Sequence, residues 1–281
     1  MNLELKKYKR ATIALGTIVE ITIWVLPEQE ISAIFKAAYN AINVVHAKMS
    51  VHDEASDLGR YRLAANHESV AMSAETIKVL RFCETLFLQS NGYFDVCIGN
   101  NLAKNAYLPP EFFIDFDFQP RHQPLEIEQV DSAGNGLVKK IANNFIDLGG
   151  VAKGFAVDYA IEALQSLNVP AAIVNAGGDL RVYGEIAAPI HIRKSDEYTF
   201  YKALKNRALA SSGMPTNHEM ARQALPIVNP LSGSCLAPSD GVISVEADQA
   251  MVADALTKLA WLNMLNKPIL NQYNAQIITE I

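Results

Sequence analysis

The sequence predicts an α+β fold, and two observations carry that expectation. Strand-like segments come in groups between helices instead of alternating one for one with them. Four amphipathic helical stripes are set off by glycine and proline stops. Half of the 281 residues are hydrophobic and 19% are charged, an ordinary globular composition that can bury a substantial core in one large domain or two modest ones.

The first element is the alternation Thr17–Ile23, rich in β-branched residues, which reads as the first strand. The basic cluster Lys6, Lys7, Lys9 and Arg10 before it reads as a solvated arm. Basic residues ahead of Ala11–Leu26 give a superficial likeness to an export signal. Glu20 interrupts the apolar run and no small-residue cleavage site follows, so the expectation is a cytoplasmic protein. No other segment approaches a membrane span.

Ile31, Ile34, Ala38, Ile42 and Val45 mark the first helix. Ser73 opens a second, with Ile77, Leu80, Cys83 and Phe87 on one face and Asn91-Gly92 as its stop. Val157, Ile161, Leu164 and Leu167 form a third, ended by Pro170, and residues 249–263 a fourth. Between them lie candidate strands at 137–141, 171–174, 180–183, 190–193, 208–211 and 242–246. Residues 105–136, rich in Pro, Asp and Phe without a period, read as a long loop or insertion.

Net charge is −6, so nothing favours nucleic acid or an anionic membrane. Cys83, Cys97 and Cys235 show no metal or disulfide spacing.

The most informative segment is Ile146-Asp147-Leu148-Gly149-Gly150-Val151-Ala152-Lys153-Gly154-Phe155-Ala156-Val157-Asp158. Three glycines surround a lysine at the start of a helix, where unpaired N–H groups and a cation favour an anion such as phosphate. A tight strand-to-helix turn with a solvated lysine is the alternative. Val174-Asn175-Ala176-Gly177-Gly178-Asp179-Leu180 is a second glycine element, equally readable as a hairpin turn.

Taken together, these segments resemble the ApbE family. Asp147–Asp158 looks like its DLGGxAKGxAxD signature, and Asn175–Leu180 like its NxGGD element. The likeness continues in order at Leu15-Gly16-Thr17, at Met49-Ser50 with Ser56-Asp57-Leu58, and at Gly92–Val96. It ends with Ser211-Ser212-Gly213 and Met251–Leu256, so that nearly the whole chain is covered.

The resemblance implies one ApbE-like (T-fold-like) domain of mixed, largely antiparallel sheets with packed helices, divisible into two subdomains around an FAD cleft. It implies an FAD:protein FMN transferase. Such an enzyme cleaves the FAD pyrophosphate with Mg²⁺, releases AMP and attaches FMN to a Thr or Ser hydroxyl of an acceptor flavoprotein. By the same resemblance Met49, Tyr93, Phe94, Asp95, Asp147, Lys153, Gly177, Gly178 and Asp179 line the FAD site. Asp254 and Lys153 serve catalysis, while Gly150, Asp254 and Thr257 hold the metal.

Four departures qualify this. Lys258 stands where the family has a threonine after its metal-binding aspartate, and four residues along a helix it shares a face with Asp254. Its ammonium brings donors only, and none of them can ligate Mg²⁺, so it either pairs with Asp254 and takes the metal's place or points outward and leaves Asp254 and carbonyls to hold a weaker site. The family's HxxDPxTG appears as Pro226–Gly233, with Pro226 for the histidine and Asn229 for the aspartate. His218 is a nearby substitute if the loop folds back. Arg62 replaces an asparagine, where it could bind phosphate or close part of the pocket. The family's lipoprotein signal is not read at the N-terminus, so the expectation is either a cytoplasmic member or one whose signal has been removed by processing. Two further readings therefore stand beside the transferase: a flavin-binding relative that has lost the chemistry, and an FAD pyrophosphatase.

Overall fold

The computed structural model describes residues 4–115, 117–141, 143–194, 197–213, 225–237, 239 and 241–279. In chain order the elements begin with β1 (Lys6–Ala14), β2 (Thr17–Val25), α1 (Ile31–Met49), α2 (Asp57–Leu63), β3 (Ser69–Met72), α3 (Ala74–Gln89) and α4 (Gly99–Lys104). They continue with β4 (Ile127–Gln129), β5 (Gly136–Lys139), α5 (Ala152–Ser166), β6 (Ala171–Ala176), β7 (Asp179–Gly184), β8 (Ala188–Lys194) and β9 (Glu197–Leu204). The last are β10 (Ala208–Gly213), β11 (Val228–Asn229), β12 (Ser234–Cys235), β13 (Val242–Ala247), α6 (Ala250–Trp261), α7 (Lys267–Gln272) and β14 (Gln276–Thr279).

The expected α+β class holds. A seven-stranded sheet runs in the order β1-β2-β6-β7-β10-β13-β14. Every neighbouring pair in it is antiparallel. Beside it lie a three-stranded sheet, β3-β5-β4, and two ribbons, β8-β9 and β11-β12. Val19, Ile21 and Ile23 of β2 pack with Ile34, Phe35 and Ala38 of α1 and with Val157, Ile161 and Leu164 of α5. A second cluster runs from Val70 and Val138 of the small sheet through Leu80 and Phe155 to Ala210, Val245 and Leu256. Among the described residues no helix is long and apolar enough to cross a membrane.

Two readings of the N-terminus change. The basic arm is β1, paired along its whole length with β2 from Lys6↔Val25 to Ala14↔Thr17. Thr17–Val25 is thus the second strand. β1 is exposed on both faces and lies at the sheet edge, so no burial pattern marks it, and its lysines suit an edge that must not recruit another chain. Ser73 does precede α3, but its hydroxyl donates to Asp57 Oδ2 at 2.5 Å instead of capping the helix. Residues 105–136 are mostly irregular, as expected, and contribute the short β4.

Two helices cross-brace each other at their starts. Asp158 on α5 accepts hydrogen bonds from Ala250 N (3.0 Å) and Met251 N (2.8 Å), the first amides of α6. Asp254 on α6 accepts one from Gly154 N (3.3 Å) in the first turn of α5. Each carboxylate satisfies orphan donors of the other helix. The close approach requires Gly154: a Cβ there would lie 2.3 Å from Ala250 O.

Candidate functional site

The β10 end, the α5 start, α6 and the segment after α3 converge on a cleft of about 490 Å³, within the range of small-molecule sites. Tyr93, Phe94 and Asp95 supply one wall, Asp147, Gly149, Gly150 and Lys153 another, and Ser211, Ser212 and Lys258 a third. Asn91 and Gly92, both at positive φ, turn the chain sharply off α3 and so deliver Tyr93 and Phe94 to this position. The wall at Asp95 is locked. Arg121 donates to Asp95 at 2.8 Å and to Glu84 at 2.6 and 3.0 Å, and its guanidinium lies 3.8 Å from the Phe87 ring centre. Asp95 Oδ1 also accepts the Cys97 amide at 2.8 Å. Asp147 Oδ1 accepts Gly149 N at 2.9 Å. Burial pushes the Asp147 carboxyl above its ordinary range, against the pull of that amide.

Behind the cleft lies a closed set of charges. Lys153 Nζ is 2.7 Å from Asp179 Oδ2, near enough to pair though not aligned as a hydrogen bond, and 3.5 Å from Asp254 Oδ2. Lys258 Nζ is 2.5 Å from Asp254 Oδ1 and 3.0 Å from Thr257 Oγ1. Burial pushes the Asp254 carboxyl up, but the two ammonium groups prevail and hold it below the usual range. Burial and the neighbouring Asp254 push Asp179 up to about 6. Burial works against the Lys153 charge, yet Asp254 and Asp179 outweigh it and raise its pKa.

Of the residues expected at the site, Tyr93, Phe94, Asp95, Asp147, Gly150 and Lys153 line the cleft. Asp179 reaches it only through Lys153, and Gly177 and Gly178, at positive φ, form the β6–β7 turn. Met49 lies in the hydrophobic core at the end of α1, 7% exposed, and does not line the cleft. The anion held at the start of α5 is the protein's own Asp254 carboxylate. Arg62 is turned away from the cleft: it donates to Val51 O at 3.3 Å and stacks 3.8 Å from the Phe112 ring centre. Pro226 lines the cleft, while Asn229 accepts Leu231 N in the β11–β12 turn. His218 lies outside the described residues.

The expected metal donors fit a divalent cation poorly. Asp254 and Thr257 are 1% and 0% exposed and do not line the cleft, whereas Lys258, packed against both, does. Lys258 also fills the space in front of Gly150, where a Cβ would lie 3.1 Å from Lys258 Cε. Both Asp254 oxygens already have donors. Among the described residues no group of three or more His, Cys, Asp or Glu could hold a metal ion.

Sequence reasoning missed Tyr107, Leu108 and Leu262 in the cleft wall. Leu262, four residues past Lys258 on the same helix face, was within reach of the helical period. Tyr107 and Leu108 come from an aperiodic stretch and left no signal.

Comparison with known proteins agrees with this architecture. An FAD:protein FMN transferase of Haemophilus influenzae is 26% identical over 256 residues, covering 82% of this chain and 70% of that protein. One of Vibrio cholerae is 29% identical over 144 residues, half of this chain and 43% of that one. The solved structure of the flavin transferase ApbE from Vibrio cholerae superposes with a TM-score of 0.77 at 21% identity, covering 98% of this chain and 93% of that chain, which establishes a shared fold. The family model for ApbE matches residues 15–272, and with nearly the whole chain thus accounted for, this protein belongs to the ApbE family.

Proposed function

We propose that the protein binds FAD in the 490 Å³ cleft and transfers its FMN portion to a Thr or Ser hydroxyl of an acceptor flavoprotein. The supporting observation is the joining of an aromatic wall, Tyr93 and Phe94, to the walls that carry Lys153 and Lys258 within one cleft of a family fold. A flavin dinucleotide needs a surface for a planar ring and positive charge for a pyrophosphate.

In the transfer, the acceptor hydroxyl oxygen forms a bond to the FMN phosphorus. The bond from that phosphorus to the bridging oxygen breaks, and AMP leaves with the electron pair. The hydroxyl proton departs to solvent or to the leaving AMP. The chain's contribution is to orient the two phosphates and offset their charge through Lys153 and Lys258, as preorganised cations do for transferring phosphoryl groups. No step is assigned to Mg²⁺, because the donors present do not fit it.

A second reading, a relative that holds flavin without transferring it, is favoured by Pro226, which lines the cleft where the family carries histidine. No histidine lines the cleft among the described residues. The test is co-expression with flavoproteins of the host, followed by in-gel flavin fluorescence and AMP measurement with purified protein. A fluorescent acceptor band with AMP release is expected. AMP without a band would make the protein a pyrophosphatase, and bound FAD with neither would establish the flavin-holding reading.

A further inference from the structure

We propose that the Lys258 ammonium is a tethered cation that stands in place of a divalent metal, so that this protein engages the dinucleotide phosphates without Mg²⁺. The inference rests on the flavin-dinucleotide reading given above. Three observations carry it. Lys258 Nζ lies among the very groups that would surround an ion, Asp254 Oδ1 at 2.5 Å and Thr257 Oγ1 at 3.0 Å, and its stem fills the space before Gly150. Lys258 is also partly exposed, with 22% of its side chain accessible against 1% for Asp254, so with Lys153 it presents charge to the cleft. Finally, the charges close without help. Lys153 and Lys258 balance Asp179 and Asp254, and the Gly154 amide takes up the remaining side of Asp254.

A divalent ion at Asp254 would have to displace the ammonium, or sit against it and be repelled. Mg²⁺ demands near-octahedral oxygen ligands, and an ammonium supplies none. A lysine tether has a different advantage: the cation is always present and its position is fixed by the α6 backbone.

The test uses the intact protein and two probes. Mn²⁺ alone, followed by electron paramagnetic resonance, should show no binding to wild type, and Lys258→Thr should gain it. FAD titrated by flavin fluorescence should bind wild type with affinity equal within about twofold in EDTA and in Mg²⁺. Lys258→Met, which keeps the stem and removes the charge, should weaken FAD about tenfold or more in EDTA. Mn²⁺ binding by wild type would overturn the inference, as would FAD affinity that rises about tenfold with Mg²⁺. If FAD does not bind at all, the flavin reading falls, and the Mn²⁺ measurement still decides whether Lys258 fills the ion's place.

Discussion

Replacing Arg121 with methionine should loosen the cleft wall and destabilise the fold together. Arg121 joins two carboxylates, Glu84 and Asp95, that are 7% and 9% exposed, and its own side chain is 9% exposed. It donates to both in forked geometry at 2.6–3.2 Å and caps Gln123 O at 3.2 Å. Methionine preserves most of the stem volume but leaves two buried carboxylates without their cation. Breaking a buried pair in this way costs about 3–5 kcal/mol, and the lost stacking on Phe87 adds to it. Glu84 keeps the Leu125 amide and Asp95 keeps the Cys97 amide, which places the expected loss near 4 kcal/mol. Scaled to a chain of this length, that lowers Tm by about 7 °C. Urea unfolding at neutral pH measures it directly, and FAD titration of the folded variant reads the displaced Asp95 wall as weaker binding. Arg121→Lys, which keeps the charge but not the fork, should fall between the two. A loss below about 1 kcal/mol would show that Arg121 is not the clamp described here.

Other substitutions probe different parts of the account. Gly154→Ala would press a methyl group onto the Ala250 carbonyl, so α5 and α6 must part, and thermal denaturation should show a loss of about 3 kcal/mol. Lys140 donates to Tyr61 O and Arg62 O at 2.7 and 2.9 Å, and burial, with Arg62 nearby, lowers its pKa to about 8. A lysine depressed in the folded state binds fewer protons there than in the unfolded chain between about pH 8 and its ordinary value near 10.4. The stability of wild type relative to Lys140→Met should therefore rise across that window and fall as pH drops through 8. A difference that is flat with pH would show that Lys140 is not charged at a cost.

Much of the site was legible because its parts are local. Asp147, Gly150, Lys153 and Gly154 fall within one turn-and-helix segment, and Asp254 and Lys258 are four apart on α6, so spacing alone predicted their shared face. The ion pair at 2.5 Å bears that out. The cross-bracing of Asp158 and Asp254 was not legible, since it joins residues about a hundred positions apart through backbone amides. Arg121 was hidden for a similar reason. It belongs to an irregular stretch with no period, yet its partners sit on α3 and in the cleft wall. Met49 illustrates the opposite error, in which a motif position expected in the cleft belongs to the core because it closes the buried face of α1. β1 escaped notice because an edge strand exposed on both faces has no alternation to show.

The central claim is that flavin dinucleotide lies in this cleft with its phosphates on the lysine side. A crystal structure grown with FAD and Mn²⁺ tests it most directly. The account predicts the flavin ring beside Tyr93, a pyrophosphate oxygen within hydrogen-bonding reach of Lys258 Nζ, and no anomalous Mn²⁺ peak beside Asp254. FAD bound elsewhere, or a metal ion between Asp254 and the phosphates with Lys258 swung away, would contradict it.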